Sequence, residues 1–331
     1  MPIESKDLLN VSNLTTRFYT YEGIVNAVEG VNLQMSSGEV LGLLGETGCG
    51  KSVTAFSIMR LINPPGKITE GRILFMNEDL VRKTETEMQD IRGAKISMIF
   101  QEPMSSLNPL YKVGEQITDV IKRHQKIVGK DALEKTSEVL TMVRLTDPER
   151  VLNQYPFELS GGMQQRVMIA AAISCNARLL IADEPTTMLD VSIQAEIIEL
   201  LARIVRERNT GLLLITHDLG VVAQLCQKVA VMYLGNIVEY SGVRELFKNP
   251  AHPYTIGLLN SIPSTEGEIK RLNAIEGDVP DSIHPPTGCR FHPRCKLARE
   301  ICRMQRPVPI EIGQGHIVYC FEYGETSQTK S

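Results

Sequence analysis

An α/β fold with a parallel sheet buried on both faces is predicted by three observations. Residues 1–245 alternate short apolar runs with longer amphipathic stretches, the order of strand and helix in a parallel sheet. Four runs, at 40–44, 96–100, 179–182 and 212–216, are apolar at both alternating positions, as strands covered on two sides must be. They are too short to read as buried helix fragments. The third observation lies at the carboxyl end of each run. The first gives way to Gly45-Glu46-Thr47-Gly48-Cys49-Gly50-Lys51-Ser52, the second ends in Gln101, the third in Asp183-Glu184 and the fourth in His217-Asp218. Open α/β sheets bind ligands outside the carboxyl ends of their strands, so four such endings describe one site.

Composition narrows the function classes. The 331 residues are 43% apolar and 22% charged, with no Trp, which suits an ordinary globular protein with a sizeable core. A net charge of −4 gives none of the basic footprint of a nucleic-acid binder. There is no apolar run long enough to span a bilayer, and the polar start, residues 1–7, lacks the apolar region of a secretory signal. The chain is therefore expected in the cytosol, with any membrane role supplied by partners.

Between Gln101 and the third strand, residues 102–176 read as an inserted helical subdomain, with amphipathic stretches such as 133–145. Past residue 246, prolines punctuate a loop-rich extension, 246–331, that carries Cys289, Cys295, Cys302 and Cys320.

Residues 45–52 match the pattern G-x-x-x-x-G-K-[ST]. Its glycines let backbone N–H groups turn inward around phosphate oxygens, Lys51 reaches the β- and γ-phosphates, and the Ser52 hydroxyl ligates Mg²⁺. The helix that begins there, with Val53 in its first turn, aims its N-terminal dipole at the same anion. An ordinary glycine turn is the bland alternative. Asp183 and Glu184 place two carboxylates at a strand end, one for the Mg²⁺ shell and one to polarise an attacking water. A second anion cradle stands at Leu159-Ser160-Gly161-Gly162-Met163-Gln164, just ahead of a helical run. One nucleotide does not need two cradles, so the second is expected to serve a nucleotide held by another subunit; in isolation it would read as a Ser cap with a glycine entry.

In order and spacing, the phosphate loop, Gln101, the run from Leu159 to Gln164, Asp183-Glu184, Leu189-Asp190 and His217 resemble the ATP-binding-cassette ATPases over about residues 8–245. The resemblance implies a P-loop NTPase, RecA-like core. It makes residues 45–52 the Walker A loop and Gln101 the Q-loop glutamine, a further Mg²⁺ ligand. Ser160, Gly161, Gly162 and Gln164 become the signature, Asp183 the end of Walker B, Glu184 the catalytic base, Asp190 part of the D-loop, and His217 the switch histidine. An aromatic near the start stacks on adenine in this family; Phe18 is the first choice, with Tyr19 and Tyr21 as alternatives. Met188 stands where the family's D-loop usually has Ala.

The stretches Asn249-Pro250-Ala251-His252-Pro253-Tyr254 and Gly288-Cys289-Arg290-Phe291-His292-Pro293-Arg294-Cys295 look like the ATPases of oligopeptide and dipeptide importers. That likeness implies ATP-driven solute uptake at the cytoplasmic face of the cell membrane. It also implies a related second ATPase subunit forming a heterodimer, two transmembrane permeases and an extracytoplasmic solute-binding protein. Relatives that carry nickel or oligosaccharides keep the solute open. The four extension cysteines are separated by five, six and seventeen residues and lack the C-x₂-C knuckle of structural zinc. The same resemblance favours a [4Fe–4S] cluster there, with zinc and free thiols as alternatives. Arg290 and Arg294 would offset the cluster's charge, with solvated arginines as the bland alternative, and His292 is a spare ligand. Two other classes stand beside the importer reading. A cassette ATPase acting on ribosomes or DNA usually has two cassettes or a long coiled-coil insertion, and this chain has neither; the other class is an iron- or redox-sensing module centred on the cysteines.

Overall fold

The computed structural model describes residues 7–187, 189–261 and 275–324. Met188 and the first six residues of the polar start lie outside them. In chain order the main elements begin with strands β1 (Asp7–Thr20), β2 (Gly23–Ser36) and β3 (Val40–Leu44), helix α1 (Lys51–Ile58), and strands β4 (Gly66–Phe75) and β5 (Ile96–Ile99). Helices α2 (Val113–Gln125), α3 (Lys130–Met142) and α4 (Gly161–Ile173) come next, then β6 (Leu179–Asp183), α5 (Val191–Arg208) and β7 (Gly211–Thr216). The remainder holds α6 (Leu219–Leu225), β8 (Lys228–Tyr233), β9 (Asn236–Gly242), α7 (Pro253–Asn260), β10 (Ile310–Gly313) and β11 (His316–Val318).

Two compact units emerge. The first comprises Met1–Leu9, Met35–Val40 and Phe75–Ile215. Its parallel strands are β5, β6 and β7, with β6 in the middle; Ile96 lies opposite Leu179, and Leu179 opposite Gly211. Every residue of these three strands is buried. That double burial explains why their sequence shows no alternation. Asp183 lies level with Ile215, so the acid emerges at the carboxyl edge.

Residues between β5 and β6 are largely helical. Helix α2 buries Val113, Ile117 and Ile121, one residue per turn, against α3. Within that seam the Thr118 and Thr136 hydroxyls bond at 2.9 Å, so two polar groups enter an apolar interface satisfied. Helix α4 is buried on nearly every side. Arg208, in the last turn of α5, donates to the Ile173 carbonyl at the end of α4 at 2.6 Å, a second donor beside the Asn176 N–H.

The second unit comprises Asn10–Gln34, Leu41–Leu74 and Thr216–Ser331. Here β3 runs parallel to β8, with Leu44 opposite Val231. β8 turns back into β9 through Leu234 and Gly235, at φ of 40° and 81°, with Tyr233 opposite Asn236. A two-residue turn with both φ positive matches the natural twist of the strands it joins. β9 then pairs with β11, and β11 with β10. The loop-rich end of the chain thus supplies two strands to the sheet that carries the phosphate loop.

Glu239 of β9 anchors this arrangement. It is fully buried and accepts from the Ala251 and His252 backbone N–H groups and from His316 Nε2, each at 2.8 Å. Among the described residues, no helix is long and apolar enough to cross a membrane.

Candidate functional site

In the second unit the chain leaves buried β3 at Gly45 and enters α1 at Lys51. Gly48 and Gly50 hold φ of +79° and +105°, where a side chain is strained. Gly50 has a further constraint, because a Cβ there would sit 2.3 Å from the Ala27 carbonyl oxygen. Thr47 and Gly48 form an exposed crest, while Lys51 is buried beneath it. Its Nζ donates to the Gly45 and Glu46 carbonyls at 2.8 and 3.0 Å. An ammonium held inside such a loop is suited to a multiply charged anion. Ser52 and Val53, half-buried, occupy the first turn of α1, where a hydroxyl can serve a hard cation. Cys49 is buried; burial raises its thiol pKa while nearby Lys51 opposes the rise.

His217 is exposed just past β7. Its neighbour Asp218 caps α6, accepting from the Gly220 and Val221 N–H groups at 2.7 and 3.2 Å, so that carboxylate shapes the turn. Phe18 is half-buried and packs over Gly66, where a Cβ would meet its ring at 2.6 Å. Tyr19 and Tyr21 are exposed.

In the first unit Asp183 is buried and Glu184 half-buried, so the two acids at the strand end sit in different surroundings. Glu184 adopts φ +46°, a left-handed backbone uncommon outside glycine, and its N–H donates to the Ile215 carbonyl at 2.9 Å. Its Oε2 accepts from Gln101 Nε2 at 3.2 Å and from the Thr187 hydroxyl at 3.0 Å. Ser160 caps α4, accepting from the Met163 N–H at 3.4 Å. Ser160 and Gly161 are exposed, and among the described residues no atom beyond its own helix and chain neighbours lies within 4 Å of where a Gly161 side chain would begin. Gly162 is closed in by Ile193. The Gln164 amide points inward, donating to the Pro156 and Leu159 carbonyls at 2.8 and 3.2 Å. Asp190 is exposed directly ahead of α5.

Back in the second unit, Cys289, Cys295, Cys302 and Cys320 line one cavity, with His252 and Phe291 among its other walls. All four are free thiols. Burial pushes Cys289 up to about 11 and also raises Cys295 and Cys320; negative charge on neighbouring cysteines of the set adds to each rise. Thiols so placed ionise together only if a cation shares their charge. Among the described residues, no three His, Cys, Asp or Glu side chains are gathered to hold a single metal ion.

Comparison with known proteins extends this picture. The fold is similar to the solved dimeric ATP-binding cassette MJ0796 in a post-hydrolysis state bound to ADP and Pi, with a TM-score of 0.65 and 29% identity; the match covers 71% of this chain and 99% of that one. Residues 28–187 match the family described as ABC transporter, and residues 238–302 match the oligopeptide/dipeptide transporter, C-terminal region. The chain is 49% identical to the oligopeptide transport ATP-binding protein AppD of Bacillus subtilis, over 98% of this chain and 99% of that one. It is 47% identical to the dipeptide transport ATP-binding protein DppD of the same bacterium, over 95% and 94%. The chain belongs to the ATP-binding subunits of oligopeptide and dipeptide ABC transporters.

As an ABC ATPase subunit it binds ATP, and several of its residues do work that the sequence did not announce. Arg290 and Arg294, expected to offset the charge of a cluster, are taken by carboxylates of the cassette portion. Arg290 pairs with Glu29, which Arg306 also reaches at 2.9 Å, and the Glu29 carboxyl is held below its usual range by these guanidinium groups despite its burial. Arg294 holds Glu46 of the phosphate loop at 2.8 and 3.2 Å. Both arginine side chains are only 5% exposed, and a guanidinium so enclosed requires a counter-charge in contact. His292 Nδ1 lies 2.9 Å from the Cys289 carbonyl. Thr187 and Tyr254 were also missed. A hydroxyl that steadies a carboxylate three residues away carries no signature in a single sequence.

Proposed function

We propose that this subunit hydrolyses MgATP to drive the import of oligopeptides or dipeptides. It would work at the cytoplasmic face of the membrane beside two permeases, a second ATPase subunit and an extracytoplasmic solute-binding protein. The observation that carries the reading is the phosphate loop with buried Lys51 bonded to the loop's own carbonyls, a cation ready to trade those partners for phosphate oxygens.

Lys51 and the N–H groups of the loop bind the β- and γ-phosphates, and an aromatic, Phe18 or one of the exposed Tyr19 and Tyr21, stacks on adenine. Ser52, Asp183 and Gln101 would hold Mg²⁺, which when bound neutralises charge on the β- and γ-oxygens. Glu184 orients the attacking water and His217 supports the γ-phosphate. Ser160, Gly161 and Gly162 face a nucleotide held by the second subunit, with Asp190 at the seam; the open approach at Ser160 and Gly161 supports this role. Closing the two subunits on ATP turns the permeases, and hydrolysis resets them. Glu184→Gln tests the assignment: the variant is expected to bind ATP, trap the closed dimer and stop turnover. Brisk hydrolysis in that variant would remove Glu184 from the mechanism.

A second reading concerns the cysteine cavity. Four cysteines lining one cavity are the ligand set that a [4Fe–4S] cluster takes, and their spacing lacks the C-x₂-C knuckle of structural zinc. Cys289, Cys295, Cys302 and Cys320 would hold it, and such a cluster supplies a one-electron redox centre.

A further inference from the structure

Glu46 occupies the first variable position of the phosphate loop, and all three of its polar parts are fixed. Its N–H donates to the Tyr254 hydroxyl at 2.9 Å. Its carbonyl takes the Lys51 bond at 3.0 Å, and its carboxylate takes both prongs of the Arg294 guanidinium at 2.8 and 3.2 Å. Tyr254 and Arg294 both come from the C-terminal region.

The clamp is rigidly backed. Tyr254 and Tyr233 are fully buried, and their rings meet at a centroid distance of 4.7 Å. Phe291 packs against both, at 5.4 and 5.2 Å. The Arg294 guanidinium lies 5.8 Å from the Tyr233 ring centroid, in cation–π range, and reaches the Tyr233 hydroxyl at 3.5 Å. Phe291 and Cys295, the neighbour of Arg294, are also walls of the cysteine cavity. One short segment therefore borders the cavity on one side and grips the loop on the other.

Such a grip acts on shape. A two-pronged, charge-assisted pair restrains orientation as well as distance, and the Tyr254 bond fixes the direction of the Glu46 N–H. The first turn of the loop is thus fixed before nucleotide arrives, which lowers the ordering that binding must otherwise impose. We infer that Arg294 and Tyr254 are positioning residues for ATP: by holding Glu46 they preset the phosphate loop, so that the C-terminal region tunes nucleotide affinity and leaves the chemical step alone.

The inference rests on residues 45–52 being the ATP phosphate loop, and Lys51→Ala tests that separately. Full-length subunits assembled with their transporter partners are assayed for steady-state ATP turnover, and nucleotide binding is followed with a fluorescent ATP analogue. Arg294→Ala is expected to raise the KM for ATP about tenfold, the loss of a charged hydrogen-bonded contact. Its kcat should stay within about twofold of wild type, since the contact is not made to the reacting atoms. Arg294→Lys should recover part of the loss and Tyr254→Phe should show a smaller rise. Glu46→Gln combined with Arg294→Ala should be no worse than the poorer single variant, because both remove one contact. A wild-type KM in Arg294→Ala, a fall in kcat at constant KM, or multiplying effects in the double variant would each overturn the clamp. Should Arg294→Ala fail to fold, unchanged KM in both Tyr254→Phe and Glu46→Gln overturns it as well. Retained ATP binding in Lys51→Ala would instead overturn the assignment of the loop.

Discussion

Gln101 and Glu184, 83 positions apart in the chain, share a hydrogen bond of 3.2 Å, made to the same Glu184 oxygen that the Thr187 hydroxyl reaches at 3.0 Å. An oxygen held from two directions fixes the plane of its carboxylate, which a group that orients water needs more than it needs strength. Thr187→Val keeps the shape and removes the Thr187 hydrogen bond. Its kcat for ATP hydrolysis is expected to fall about tenfold, with the KM for ATP within about twofold of wild type. Steady-state kinetics on the assembled transporter checks this, and an unchanged kcat would show that the Thr187 bond is incidental.

Gly48 and Gly50 of the phosphate loop, both at positive φ, should respond differently to alanine. At Gly48 a Cβ meets nothing within 4 Å among the described residues, so Gly48→Ala carries backbone strain alone, about 1–2 kcal/mol. At Gly50 the same Cβ falls 2.3 Å from the Ala27 carbonyl oxygen and 2.8 Å from the end of Met232, so strain and overlap combine. Gly50→Ala is expected to lower stability by more than Gly48→Ala and to abolish ATP binding. Paired melting curves and nucleotide titrations decide; equal effects would mean that the Ala27 contact yields easily.

His252 is fully buried, and burial lowers its pKa to about 3. Its Nδ1 accepts from the Tyr254 N–H at 3.0 Å, which needs the neutral ring. Unfolded, the same side chain takes up a proton near pH 6.5, so its contribution to stability is complete above that value and drains away as pH falls toward 3. His252→Asn retains an acceptor for the cap and cannot titrate. The variant should be somewhat less stable at neutral pH yet lose stability less steeply between about pH 6.5 and pH 4.5. Parallel melting-temperature profiles for the two proteins would exclude His252 as the titrating group.

Iron analysis addresses the cysteine cavity. Protein purified without oxygen is expected to contain iron and acid-labile sulfide in equal amounts, with a broad visible absorption that Cys302→Ser removes. Stoichiometric zinc with no sulfide would replace the cluster reading by a mononuclear one.

The strands around 40–44, 96–99, 179–183 and 211–216 were legible because burial on both faces writes an unbroken apolar run into the sequence. The chemistry at their ends was legible because glycines, a lysine and paired acids recur at fixed spacing. The C-terminal hairpin was not. Its strands are short, its burial is partial and Pro307 and Pro309 stand just ahead of it, so β10 and β11 give no period to read. Nor could the Glu46–Arg294 pair be foreseen. Two charges 248 positions apart are matched only by the fold, and many other partners were available on paper. Gln164 shows the converse: motif position suggested a nucleotide contact, whereas its amide braces the turn ahead of α4.

Glu239 bears on where this chain can be cut. Its donors, Ala251, His252 and His316, all lie downstream of the cassette portion as the sequence delimits it. Truncation at residue 245 would leave an enclosed carboxylate with none of these three hydrogen bonds, a penalty of several kcal/mol that the shortened sheet could relieve only by letting water in. Minimal fragments for biophysics should therefore end beyond residue 318, even where the nucleotide alone is of interest.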